Sequence, residues 1–164
     1  EPYRRQRQMC IRDSLNRVDV EQIHLEKRLV KTCRFQRLKG EWRLTQESIR
    51  DFTTAEPLDK FMDFYRRFVS DAAFQQRSVS NPLRYVTTDP DDDFNTIEGT
   101  LDHDQWDAFK PQLPDGVITN IRYGQTYDNP DGMILVKAGI SNGLMDILDF
   151  RKKDGEWKLV SYEN

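Results

Sequence analysis

Asp102, His103 and Asp104 set an imidazole between two carboxylates, the least equipment that general acid–base chemistry near neutral pH requires. The same residues also suit plain duty at a helix start, because Asp102 and Gln105 stand at the spacing of a capping box. His24, the other of the 2 histidines, has no comparable neighbours. Asp89, Asp91 and Asp93 repeat the one-three-five spacing of a calcium loop, but Phe94 stands where that loop needs glycine and Thr100 where it needs a bidentate glutamate. The motif fails, and the run reads as solvated carboxylates in a turn, so no metal or other cofactor is implied. Cys10 and Cys33 are too few for a disulfide framework and are not spaced as a metal knuckle. Asp146 and Asp149 are acids inside an otherwise apolar strand and point to opposite faces. Asp146 shares its face with Leu148 and Phe150, which makes it a candidate for a polar group reaching inward, with Arg77 or Arg84 as partner. A rim position needing no partner explains it equally well.

The elements that would hold these residues are legible in outline. Leu58, Phe61, Phe64, Tyr65 and Phe68 recur at three- and four-residue steps, with Asp59, Lys60, Asp63, Arg66 and Arg67 between them, which predicts an amphipathic helix with an aromatic stripe. Residues 45–57 read as a polar linker into it. Asp71 looks like the cap of a second, short helix through Arg77. Residues 83–88 alternate as a strand, and Asp102 opens a third helix carrying Trp106, stopped by Pro111 and Pro114. Strands are predicted over 117–123, 133–140, 144–152 and 156–163 in meander order. Ser141-Asn142-Gly143 and Lys153-Asp154-Gly155 supply tight hairpin turns, and Asn129 to Gly132 a looser one. Helices ahead of a bent antiparallel sheet give an α+β cone, a curved sheet wrapped around N-terminal helices. Such a cone encloses a cavity, whose expected lining is Phe61, Tyr65, Phe68, Trp106, Asp146, Leu148 and Phe150.

Comparison of the sequence with itself finds a repeat: Phe35, Gly40, Glu41, Trp42 and Leu44 recur as Phe150, Gly155, Glu156, Trp157 and Leu159, always 115 residues on. Residues 18–50 then read as the C-terminal β-remnant of a first repeat, a set of hairpins without the helices that would cover them, and residues 51–164 as a complete second repeat. The front half of the first repeat is expected to be missing. Residues 1–17 read as a non-native or disordered leader, in which Arg4 to Ser14 resembles a translated sequencing adapter.

The 164-residue chain has a formal charge of −3. Residues 1–14 carry a balance of +2, leaving −5 on the rest, which argues against a nucleic-acid surface. No stretch is long and apolar enough for a membrane span.

The segments FMDFYRRFVSD, FQQRSVSNPLRYVTTDPDDDF, LDHDQWDAFKPQLP and IRYGQ, in that order, resemble the second half of the domain-of-unknown-function family 4348. The resemblance implies a fold like that of nuclear transport factor 2, an origin in Gram-negative gut bacteria and a place in the cell envelope or periplasm. It carries no catalytic residues. A non-catalytic module binding a small molecule, glycan or protein partner is therefore the leading expectation. An isomerase- or dehydratase-type enzyme using His103 with Asp102 or Asp104, or Asp146, is the second, and a purely structural packing of repeats the third.

Overall fold

The structure, a computed structural model, describes residues 15–124, 129–139 and 143–164. Most of the expected leader, with Cys10, and the Ser141-Asn142 part of one predicted turn lie outside the described residues.

The chain forms two compact units that it visits alternately. The first holds β1 (Arg17–His24), β2 (Leu29–Leu38), β3 (Glu41–Asp51) and β6 (Val117–Arg122), hydrogen-bonded in the order β3-β2-β1-β6. All three pairings are antiparallel. Residues 45–51, read from sequence as linker, are the second half of β3. That strand is almost wholly exposed, so it lacks the buried apolar alternation that marks a strand in sequence.

The second unit begins at Lys60, within α1 (Pro57–Ser70). It continues through α2 (Ala72–Ser78), β4 (Val79–Asp89), β5 (Asp92–Leu101) and α3 (His103–Phe109), and resumes with β7 (Gly132–Ala138), β8 (Met145–Lys153) and β9 (Glu156–Glu163). Its sheet runs β5-β4-β9-β8-β7, with β4 parallel to β9 and the remaining pairs antiparallel.

Two expectations are corrected here. The acidic run from Asp89 makes a turn, as expected, but the turn joins β4 to a strand, β5, that was not predicted because its sequence, DDFNTIEGTL, has few apolar residues. The predicted four-strand meander is divided, since β6 pairs with β1 rather than with β7. The physical reason is that β1 has only β2 on its other side. Without β6 its backbone would be an open edge, and Ile23 and Ile118, 0% and 8% exposed, would lose each other.

Local signals account for the helices. Asp59 in the first turn and Arg67 in the last complement the dipole of α1. Asp71 caps α2 by accepting the Phe74 N–H at 2.9 Å. Asp102 and Gln105 form the capping box of α3. The aromatic stripe of α1 packs onto β8 and β9: Phe61 lies 5.2 Å from Phe150 and 5.1 Å from Trp157, ring centre to ring centre, and Phe68 lies 5.4 Å from Phe150. Edge-on contacts of this kind add to the burial each ring gains.

Candidate functional site

The site starts from the alternation of β1. Asp19, Glu21 and Ile23 share one face, and Val18 and Val20 the other. Pairing with β2, β3 and β6 turns the first face into three cross-strand rows. Arg122, Asp19, Arg34 and Gln46 form one row, Asn120, Glu21, Thr32 and Ser48 the next, and Ile118, Ile23, Val30 and Arg50 the third. The apolar members of the third row are buried. Most of the two polar rows (Asp19, Glu21, Thr32, Arg34, Ser48 and Arg122), with Arg17 and Arg50, line a cavity of about 690 Å³ whose border includes Tyr123 and Gly124.

Its carboxylates are held in place. Asp19 accepts two bonds from Arg34, at 2.9 and 3.2 Å, and two from Arg17, at 2.7 and 3.4 Å. These bonds, that from Arg34 foremost, hold the Asp19 carboxyl down at about 2. Glu21, 3% exposed, accepts from Asn120 at 2.8 Å and from Arg122 at 3.1 Å. Three guanidinium groups, of Arg17, Arg34 and Arg122, thus engage the two carboxylates of the lining, and the fourth, of Arg50, is engaged by Asp59. Among the described residues, no histidine or cysteine is part of the lining. A carboxylate pinned near 2 is ionised at any physiological pH and is a poor proton acceptor. What the surface offers instead is a fixed array of charge-assisted hydrogen-bond groups, the usual means of orienting a polar ligand.

The residues singled out from sequence are placed elsewhere. Asp102 spends its side chain in the α3 capping box. The His103 Nε2 lies 2.8 Å from the Val79 carbonyl oxygen, and the His103 carbonyl accepts from Gln76 at 2.7 Å, so the residue ties α3 to the start of β4 and to α2. Asp104 lies in the first turn of α3. None of the three lines a described cavity. Phe61, Tyr65, Phe68, Trp106, Leu148 and Phe150 are at most 1% exposed and are packed core instead of cavity wall. The space expected between helix and sheet is taken up by rings in mutual contact. Trp106 satisfies its indole N–H with Gln75 at 3.2 Å.

Asp146 does border a recess, of about 330 Å³, with Thr87, Thr88 and Asn164. Its partners are the Tyr162 hydroxyl at 2.9 Å and Lys137 at 3.3 Å, in place of the expected Arg77 or Arg84. Arg84 is committed to Glu98. Burial, then the bond to Asp146, pushes the Tyr162 hydroxyl well above the ordinary tyrosine range.

Sequence reasoning missed Asp19, Glu21, Arg34, Arg50 and Arg122. A signal was present: Asp19 and Glu21 alternate with valines as Asp146 and Asp149 interrupt β8.

The sequence pattern of the family described as Domain of unknown function (DUF4348) matches residues 3–164. A crystal structure described as that of an NTF2-like protein from Bacteroides fragilis NCTC 9343 superposes with a TM-score of 0.82 at 45% identity. That match covers 92% of this chain and 65% of the other, so the chain spans about two thirds of its relative's length. No curated protein matches.

Proposed function

The chain belongs to the family described as Domain of unknown function (DUF4348), with an NTF2-like α+β fold, and on that premise we propose that it is a non-catalytic ligand-binding module of the bacterial cell envelope. Its site is the polar cavity on the first sheet, and its ligand a small hydroxyl-rich molecule, a glycan or sugar acid. The observation that carries this reading is the clamp on Asp19. Two arginines fix the carboxylate and hold it ionised, which suits anchoring a rigid array of guanidinium donors for a polar ligand and does not suit shuttling protons. Thr32 and Ser48 add hydroxyl groups, the guanidinium groups suit a ligand carboxylate, and Tyr123 at the border offers a ring for a sugar face. The envelope part rests on the family resemblance alone.

A thermal-shift screen against neutral sugars, uronic acids and peptidoglycan fragments tests the reading. A ligand selective for the folded protein raises its melting midpoint, and Arg34→Gln is expected to weaken affinity at least tenfold and reduce the rise accordingly. No shift with any sugar, or an unchanged shift in Arg34→Gln, sinks the glycan site. Fractionation of the source bacterium tests the location, and recovery from the cytosol would refute it.

A further inference from the structure

The repeat seen in the sequence is also a repeat in backbone detail. The β2–β3 hairpin turns through Lys39 and Gly40 with φ of 51° and 86°, and the β8–β9 hairpin through Asp154 and Gly155 with φ of 52° and 81°. Trp42 faces Arg37 as Trp157 faces Lys152, and Leu44 faces Phe35 as Leu159 faces Phe150. Each ladder then slips at the same place, between Arg34 and Phe35 in one and between Asp149 and Phe150 in the other. A turn, a register and a bulge in common make these two copies of one template.

Their surroundings differ. In the second hairpin Phe150 and Leu159 are 0% exposed and Trp157 8%, under the aromatic stripe of α1. In the first, Trp42 is 45% exposed and Leu44 50%. The register puts Val18, Val20, Ile49 at 68% and Val117 at 49% on the same face, interspersed with Gln22, Lys31, Cys33 and Glu47. It is the face opposite the polar cavity. The large exposed apolar side chains sit together at the hairpin end of this face, at Trp42 and Leu44 beside Phe35 and Val18, with the Lys31–Glu47 ion pair beyond them, and a cluster of that kind suits a docking site.

We propose that this face seats an amphipathic helix of the α1 kind, with aromatic residues at three- and four-residue spacing, supplied by polypeptide that precedes β1 in the longer protein. Three observations select that occupant. The template hairpin in the second unit is covered by such a helix and by no other element of comparable aromatic content. In that unit the helix comes before its hairpin in chain order. About a third of the similar Bacteroides fragilis chain lies outside the 65% matched, room for a further helical segment.

Trp42 reports on the seat directly, since Trp106 and Trp157 are 1% and 8% exposed. Acrylamide quenching is compared between this chain and the same chain extended upstream along its own reading frame, each with and without Trp42→Asp. The expected result is one readily quenched indole in the short form, its protection in the extended form, and a melting midpoint lowered several degrees by Trp42→Asp in the extended form only. Leu44→Lys should act alike. Equal quenching in both forms overturns the proposal. So does an upstream frame without an aromatic-striped helix, or a dimer of the short form that Trp42→Asp dissociates, because the face would then belong to a second copy. Arg34→Gln leaves this readout unmoved, so the fate of the sugar site is read separately.

Discussion

Arg50 closes a fork on Asp59: its two terminal nitrogens reach both oxygens of a carboxylate that is 1% exposed, and the Thr53 N–H donates to the same carboxylate at 2.8 Å. Asp59 stands in the first turn of α1, so the fork fastens the helix start to the end of β3. Removing the cation strands a buried anion. Arg50→Ala is expected to lower stability by about 3 kcal/mol, read as a shift of the urea midpoint at unchanged slope. Arg50→Ala combined with Asp59→Asn should recover part of that loss, and a double variant as unstable as the single one would contradict the argument.

The two template hairpins predict unequal costs for one substitution. Phe150→Ala removes a ring that is 0% exposed and touches Phe61, Phe64 and Phe68, at a cost of about 3–5 kcal/mol. Phe35→Ala, in the half-buried counterpart, should cost about 1 kcal/mol in this chain. Equal losses in chemical denaturation would show that the first hairpin is packed as tightly as the second.

Acid should release Asp19 late. Its folded carboxyl is held at about 2 by Arg34 and Arg17, against about 3.9 in the unfolded chain. A depressed folded value gives stability that is fully present above about pH 4 and is lost as pH falls toward 2. The stability gap between the native protein and Asp19→Asn should therefore be constant from neutral pH to about 5 and narrow below about 4. A gap independent of pH down to 2 would mean that the arginine clamp is not formed in solution.

What was legible in the sequence was what is decided locally. The stripe from Phe61 to Phe68, the Asp71 cap, the box of Asp102 with Gln105 and the Lys-Asp-Gly turn before Glu156 each need only neighbours within a few residues, and each stands where it was expected. Pairing across the chain was not legible. Nothing in VITNIR says that it joins β1 and not β7, and β3 and β5 lack the buried alternation that announces a strand. The polar cavity escaped for the same reason: Glu21 and Arg122 become neighbours only once β6 has found β1.

The placement of β6 also governs the order in which the molecule is completed on the ribosome. Glu21 waits through 99 residues of synthesis for Asn120, on the order of 5–20 s at ordinary translation speeds. Throughout that interval the β1 edge hangs open beside an apolar face. The emerging polypeptide is most prone to cling to its neighbours in this window, and a holdase chaperone that shields extended segments would act on it there.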